Sequence, residues 1–519
     1  VSRGLGDVYK RQGFIHLGNL YSALADERIA HRNGGVFYLR IEDTDEKRKV
    51  DGAVETIINV LRYFDIEFDE GAGFDDTDPR NAYGPYFQRQ RVEIYHTYAK
   101  SLVERGLAYP CFCTEEELDK VRAKQEEDKV LTGYYGEYAT CRNLSYEEVE
   151  ANIKAGKPYV LRLRSQGSPD KEITFVDAIK GEIKLPENIH DIVLLKKDGI
   201  PTYHFAHAID DHLMRTTTVV RGGEWLASAP IHYELFHLLG FKMPAYAHTA
   251  HLMKFDEETG GKRKLSKRKD PELSLDYYRK DGYHPYTMKV YLLTLLNSNF
   301  EEWHEKFPDK DINEFPFSVE KMNQSGALFD KDKLHNICKN ELSKLSEEEL
   351  YDFLYDWAKE NEPENVEKWF GDREKMLQIL RLYMGVGAKR RRKDLMYAKQ
   401  IFELISYFFD GESAEEMDEF KLDEDMVSKI LKSYLAKYDH NDDNSVWFNK
   451  LKEIADEHGF ASDMKAYKAN PENFKGNVSD IAEAVRIAVT GRANTPDLWT
   501  IVHIMGEEQM TERIKKHIK

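Results

Sequence analysis

His16-Leu17-Gly18-Asn19 stands where a loop should enter a helix. A helix N-terminus offers unpaired N–H groups and positive potential to a phosphate. Gly18 lets a nucleotide come close to the backbone, and His16 can donate a hydrogen bond to a phosphate oxygen. Much later, Lys262-Arg263-Lys264-Leu265-Ser266-Lys267-Arg268-Lys269 sets lysines on both sides of a Leu-Ser pair, in a segment rich in glycine and charge. Lysines on a loop suit a triphosphate whose charge grows during reaction. Taken singly, each stretch is most often plain surface.

The elements around these stretches form an α/β pattern. Gly18 to Arg32 reads as a helix ended by Gly34-Gly35. Val36 to Ile41 is an apolar run with β-branched and aromatic members, hence a buried strand. Val54, Ile57, Ile58 and Leu61 then share one helical face. This alternation predicts a doubly wound parallel sheet with helices on both faces. From about 105 to 196 the pattern changes. Thr114 with Glu117 and Ser145 with Glu148 are capping boxes, Pro158 to Arg164 and Ile192 to Leu195 are strand-like, and Asp198-Gly199 signals a hairpin. That segment reads as an α+β insertion, and strand texture returns at Thr217 to Val220. From about 330 onward strands nearly vanish. Leu342 to Trp357, Met376 to Met384, Ala398 to Phe409 and Met426 to Tyr438 read as amphipathic helices.

The 519 residues predict several domains, and 41% apolar with 32% charged residues is ordinary for a globular protein. No apolar run reaches about eighteen residues, so no membrane helix is expected. The early Arg and Lys are not followed by the apolar stretch of a signal peptide. Four cysteines in so long a chain make no disulfide framework, so a reducing, cytoplasmic setting is expected. The net charge of -18 alone argues against a nucleic-acid partner. Binding depends on local potential, however, and Lys389-Arg390-Arg391-Arg392-Lys393 adds a third basic cluster.

Together the two phosphate-type stretches resemble the class I aminoacyl-tRNA synthetases. His16-Leu17-Gly18-Asn19 is similar to their HIGH motif and Lys264-Leu265-Ser266-Lys267-Arg268 to their KMSKS loop. Leu39-Arg40-Ile41-Glu42-Asp43-Thr44-Asp45 resembles a strand end of the glutamyl and glutaminyl enzymes. Pro201 to His207, Asp210 to Met214 and Val220 to Leu226 resemble the glutamyl family, as does Ala484 to Arg492 near the end. Glutaminyl enzymes carry β-barrels for anticodon reading; a helical second half fits bacterial-type glutamyl-tRNA synthetases. The resemblance covers roughly residues 13 to 515.

The resemblance implies a Rossmann-like catalytic domain in two parts, 1–104 and 197–255. It places an acceptor-binding insertion at 105–196, a KMSKS-loop and stem-contact region at 256–330, and an all-helical anticodon-binding domain at 331–519. His16, Asn19, Lys264 and Lys267 would be catalytic. Those four, with Gly18, Trp225 and Ser266, would bind ATP and its Mg2+. Glu42, Tyr203, His207 and Arg221 would bind glutamate: Glu42 the ammonium, Arg221 the side-chain carboxylate through its planar fork. The products would be glutamyl-adenylate, then glutamyl-tRNA(Glu), made by a monomer. Charging of tRNA(Gln) as well, or an inactive RNA-binding paralogue, are the alternatives. A lone nucleotidyltransferase would not need the helical half.

Three departures from the family bear on these expectations. His207 stands where the family often has Asn, and His can titrate. Val1 to Gln12 lacks the family's Arg-Phe-Ala-Pro-Ser-Pro-Thr-Gly stretch; with two glycines, four charges and few apolar residues it reads as no strand at all. The expectation is that these twelve residues are not native and that the true first strand is missing. Finally, some members bind zinc through Cys-x-Cys, a later Cys and a His. Here Cys111, Cys113 and Cys141 are followed by Asn143, leaving zinc one ligand short unless Tyr138 or water serves. Free thiols and no protein-bound metal are expected.

Overall fold

The computed structural model describes residues 3–10, 16–44, 53–75, 77–256, 258–266, 269–324, 326–409 and 417–519, with backbone alone for 3–10 and 53. The chain forms two packed units: Val1–Tyr277 with Met288–Lys331, and Tyr278–Thr287 with Asp332–Lys519.

The strands of the first unit, in chain order, begin with β1 (Arg3–Lys10), β2 (Val36–Glu42), β3 (Glu70–Gly71), β4 (Ala108–Cys111) and β5 (Val160–Leu163). Next come β6 (Glu172–Asp177), β7 (Gly181–Pro186), β8 (Val193–Leu195), β9 (Thr218–Gly222) and β10 (Ala245–Thr249). The last are β11 (Leu252–Asp256), β12 (Gly261–Lys264) and β13 (Ala327–Leu328). The main sheet has the order β3-β2-β1-β9-β10-β6-β7. Its pairs are parallel except β6 with β7 at the edge. β2 is buried on both faces from Phe37 to Glu42, as a central parallel strand must be.

Helix α1 (Leu17–Arg32) packs on β1, β2 and β9. Its last turn is closed by the Gly35 N–H donating to the Ala30 carbonyl at 2.7 Å, with Gly34 left-handed at φ 63. The sequence reading of helix and terminator holds here.

One expectation fails. Arg3–Lys10 is a strand, and it occupies the centre of the sheet between β2 and β9, pairing Arg3 with Val36 and Lys10 with Glu42. The ladder is made by backbone N–H and C=O groups, which any non-proline residue supplies, so an irregular composition does not forbid it. The mismatch shows instead as a register slip between Gly6 and Tyr9.

Residues 105–196 split between two sheets. β4, β5 and β8 form a small antiparallel sheet of their own, while the β6–β7 hairpin extends the main sheet through β10. Both predicted capping boxes are present, at Thr114 and Ser145, opening the helices Glu115–Glu127 and Tyr146–Lys154.

In the second unit the described regular elements are helices and short 3-10 turns. Leu350, Leu354, Leu380, Ile401, Leu451 and Val485 belong to one apolar core. The predicted helix Leu342 to Trp357 is in fact two, Lys331–Leu342 and Glu347–Asn361. A capping box of Ser346 and Glu349 restarts the chain, because it satisfies N–H groups that a continuous helix would have bonded internally. Ala398 to Phe409 is helical to Ile405 and finishes as the 3-10 turn Ser406–Phe408. No helix of the described residues is long and apolar enough to cross a membrane.

Candidate active site

The N-terminus of α1 is built as a phosphate site would require. His16 is extended (φ -118, ψ 165), and its backbone N–H donates to Asn19 Oδ1 at 3.2 Å. Asn19 is therefore part of the cap. A side chain at Gly18 would put its Cβ 3.1 Å from the His16 ring, so glycine leaves the imidazole its place. His16 also bridges to Ser274, just beyond the basic segment. This bridge brings the start of α1 to the segment that follows the basic stretch.

The basic segment is less of a loop than its composition suggests. Gly261–Lys264 is β12, paired antiparallel with β11. Arg263 makes a two-pronged bond to Asp270, at 2.6 and 2.8 Å, and the Ser266 N–H donates to the same carboxylate at 2.8 Å. The Arg263 bonds hold the Asp270 carboxyl down to about 2. Arg263 is thereby taken up in the turn, while Lys264 stays exposed and Leu265 is buried. Lys267 and Arg268 lie outside the described residues, as do Gly13 to Ile15 and Asp45.

At the C-terminal ends of the strands lies a cluster of buried polar groups. The helix Tyr203–Leu213 presents Tyr203, His207 and Asp211 on one face at successive i,i+4 positions. The Tyr203 and His207 rings stack at 5.5 Å, and Trp225, in the turn after β9, lies 4.7 Å from Tyr203. The Tyr246 hydroxyl is 2.8 Å from His207 Nε2, and His207 Nδ1 is 3.2 Å from Asp211 Oδ2. Burial and the nearby Arg221 and Arg40 push His207 well below its usual range, so it is neutral. Burial pushes the Asp211 carboxyl up to about 6, against the pull of Arg40, which donates to it at 2.8 Å. Glu42, at the end of β2, is buried 3.6 Å from Arg40.

Arg221 is the centre of this cluster and is only 5% exposed. Its Nε donates to His248 Nε2 at 2.9 Å, its Nη1 lies 3.0 Å from His232 Nδ1, and the guanidinium stands 4.4 Å over the Tyr246 ring. Since a guanidinium only donates, both imidazole nitrogens accept. His232 then carries its proton on Nε2 and faces His204 Nδ1 at 2.9 Å. Burial first, then neighbouring rings and Arg221, holds His232 well below its usual range. Nη2 is buried with no hydrogen-bond partner among the described residues. No carboxylate of the described residues lies within ion-pair distance of Arg221, whereas Arg40 and Arg91 are paired to Asp211 and Asp210. An unpaired buried cation is costly, so the missing anion is what a ligand would bring.

A family model described as "tRNA synthetases class I (E and Q), catalytic domain" matches residues 10–336. The chain belongs to the class I tRNA synthetases. A second model, an anticodon binding domain, matches residues 350–518 of this synthetase. It is 55% identical over 506 residues to a glutamate–tRNA ligase of Acetivibrio thermocellus, covering 97% of this chain and 91% of the relative. It is 46% identical over 511 residues to a glutamate–tRNA ligase of Clostridium perfringens, covering 98% and 92%. Among solved structures it is similar to a glutamate tRNA ligase from Elizabethkingia meningosepticum in complex with its amino acid. The TM-score there is 0.77, with 27% identity and 99% of each chain covered. Glutamate-tRNA synthetase from Elizabethkingia anophelis gives 0.75 with 28% identity, over 100% of this chain and 99% of that one.

The cysteines gather as a metal site would need. The sulfurs of Cys111, Cys113 and Cys141 lie within 4.8 Å of one another. The phenol that joins them is Tyr134: its hydroxyl is 3.4 Å from Cys111 Sγ and 3.3 Å from Cys113 Sγ. Tyr138, the fourth ligand considered from sequence, instead donates to Asp128 at 2.9 Å. Chain distance misled here, because β4 returns against the Tyr134 segment. Hydrogen bonds from its sulfur neighbours lower the Cys111 thiol, while Cys113 is raised beside it. Three sulfurs and one phenolic oxygen fit tetrahedral zinc.

Sequence reading missed Asp177, His232, His248 and Tyr246, which complete the surroundings of Arg221. Their spacing along the chain carries no signal. The strand order brings Asp177, Tyr246 and His248 to one edge, and the helix Ala229–Leu239 adds His232.

Proposed function

We propose that this synthetase is a glutamate–tRNA ligase, which activates glutamate with ATP and transfers it to tRNA(Glu). The observation that supports this choice of amino acid is Arg221, a buried cation whose counter-anion the described chain does not supply. In this reading Arg221 takes the side-chain carboxylate and Glu42 the ammonium, with Tyr203 and His207 walling the pocket. Tyr203 lies within electrostatic reach of both Glu42 and Arg221, as a residue between the two ends of one ligand would.

His16, Gly18 and Asn19 hold the phosphates at the positive end of α1, and Lys264, Ser266 and Lys267 close on them from the basic segment. Trp225 lies beside the nucleotide. The glutamate α-carboxylate attacks the α-phosphorus, forming the mixed anhydride as the bond to pyrophosphate breaks. His16 and Lys267 offset the charge that develops on the phosphate oxygens. Magnesium bound with the ATP would neutralise part of its phosphate charge. A ribose hydroxyl at the tRNA end then attacks the adenylate carbonyl, and AMP leaves. Residues 105–196 would hold the acceptor end, 256–330 the stem, and 331–519 the anticodon through its unstacked bases. Cys111, Cys113, Cys141 and Tyr134 would hold zinc, which would tie the end of β4 to the segment that follows the helix Glu115–Glu127. The setting is cytoplasmic and the working form a monomer.

The test is ATP–pyrophosphate exchange with glutamate in the presence of tRNA(Glu), followed by charging of pure tRNA(Glu) and tRNA(Gln) transcripts. Exchange with glutamate and not glutamine is expected, with charging of tRNA(Glu). Absence of exchange with glutamate overturns the reading. Charging of both transcripts favours the non-discriminating variant.

A further inference from the structure

Three neighbouring strands of the main sheet each end in one member of a buried chain. Arg221 is on β9, His248 on β10 and Asp177 at the end of β6. The parallel register sets His248 beside Arg221 and Tyr246 beside Asp177. His248 Nδ1 lies 2.5 Å from Asp177 Oδ2, while His248 Nε2 accepts from Arg221 Nε at 2.9 Å. Asp177 is itself fixed by the N–H groups of Ile179, Lys180 and His248, at 3.0, 2.9 and 3.1 Å. His248 is fully buried, and Asp177 is 1% exposed. Neither residue belongs to the set that the motifs pointed to.

We propose that Asp177 and His248 are positioning residues for Arg221, acting through the tautomer of His248. This inference rests on the reading of Arg221 as the glutamate-binding residue. A neutral imidazole has one N–H and one acceptor nitrogen. The Asp177 carboxylate can only accept, so it keeps the proton on Nδ1 and leaves Nε2 bare toward Arg221. The other tautomer would set Nε2–H against Arg221 Nε–H, donor against donor. Pinned at Nε by His248 and at Nη1 by His232, the guanidinium has one rotational setting, and Nη2 is the nitrogen left for a ligand. A carboxylate behind a histidine setting the nitrogen offered in front is the logic by which outer groups orient metal-bound and catalytic histidines. Here the oriented group is a substrate-binding arginine.

The groups facing His248 are Asp177 and Lys180 from the β6 end, Arg221 from β9, and Phe175 edge-on at 6.5 Å. Replacing His248 therefore removes one acceptor for Arg221 and one donor for Asp177.

The experiment measures exchange kinetics with tRNA(Glu) present for His248→Ala, His248→Gln, Asp177→Asn and the double variant Asp177→Asn/His248→Ala, with melting temperatures for each. His248→Ala should raise KM for glutamate by about tenfold or more, the scale of leaving one buried donor unmet, while KM for ATP and kcat change little. His248→Gln should restore most of the loss, since its amide oxygen can accept from Arg221 Nε. Asp177→Asn should raise KM for glutamate when His248 is present and have no further effect in the His248→Ala background. Additive effects of the two changes overturn the proposal. So does a loss that falls equally on glutamate and ATP, or one that only tracks a lowered melting temperature. If the wild-type enzyme activates no glutamate, the proposed function fails by itself. The positioning role is then decided by 15N spectra of the histidines: His248 should carry its proton on Nδ1 in the wild type and shift it in Asp177→Asn. An unchanged tautomer in that variant overturns it.

Discussion

Around Arg221 the α/β unit buries guanidinium, imidazole, carboxylate and phenol side by side: Arg40, His207, Asp211, His232, Tyr246 and His248 are all inaccessible to solvent or nearly so. The core of the helical unit is leucine, isoleucine, valine and aromatic residues. Its buried Arg513 is tied off on the Val489 carbonyl at 2.8 Å. Burying hydrocarbon stabilises a fold at about 25 cal/mol per Å2, whereas burying charge costs energy unless each group is paired. The helical unit buries fewer such groups, though Arg486 Nε there also lacks a hydrogen-bond partner among the described residues. What marks Arg221 in the α/β unit is that its Nη2 has no hydrogen-bond partner and that no carboxylate of the described residues lies within ion-pair distance. On the proposed reading, the contrast is between side chains that hold the fold and one cation kept for a ligand.

The sharpest way to break that contrast is Arg221→Ala. Truncating one partner of a buried charged contact costs roughly 2–5 kcal/mol, so kcat/KM for glutamate should fall by about a thousandfold. Urea unfolding should be unaffected or slightly more difficult, because an unpaired buried cation is gone. A folded variant with unchanged kcat/KM would return Arg221 to the ranks of structural residues.

Leu380→Ala in the helical unit should do the reverse. It should lower the stability of that transition by roughly 2–5 kcal/mol, through lost transfer energy and the cavity left behind. Exchange kinetics at low temperature are the second reading. A glutamate KM that rises as much as stability falls would erase the distinction between the two regions.

Lys267→Ala tests the phosphate end, where the position is known from sequence alone. It should lower kcat for exchange about a hundredfold, the scale of removing one preorganised donor, with little change in the glutamate KM. Near-normal exchange would remove Lys267 from the site.

The smallest effect is expected from pH. His284 in the helical unit is half-buried, with Phe353 4.6 Å away and its Nδ1 accepting from the Tyr286 N–H at 3.2 Å. Burial pushes it down to about 4. Its folded value lies below its unfolded one near 6.5, so the unfolded chain takes up the proton first. The stability is present above pH 6.5 and drains as pH falls toward about 4, by at most about 1.4 kcal/mol per pH unit. His284→Gln should flatten that slope in urea titrations. The same slope in wild type and variant would assign the acid sensitivity to other groups. In the α/β unit, His207, His232 and His248 are all lowered, chiefly by burial, and act in the same direction.

Legibility differed along the chain in the same way. Helix ends with a chemical signal were readable: the Thr114 and Ser145 capping boxes and the Gly34-Gly35 terminator all stand where the residues put them. The break before Ser346 carries the same signal and was passed over because apolar periodicity continued through it. β1 was unreadable, since its place depends on the ladder offered by β2 and β9 and not on its own side chains.

The sequence by itself determined the α/β half, the helical half and the family, together with the residues that motifs carry: His16, Gly18 and Asn19 at one helix start, Lys264 and Ser266 in the basic segment, and Glu42, Tyr203 and Arg221 near strand and helix ends. Those follow from local chemistry, because caps, glycines and charge runs act within a few residues. The tertiary structure alone decided that Arg263 is spent on Asp270, that Tyr134 and not Tyr138 meets the cysteines, and that Asp177 and His248 stand behind Arg221. The last of these joins residues whose meeting depends on which strands become neighbours. Strand order is settled by packing of the whole sheet, and no short stretch of sequence encodes it.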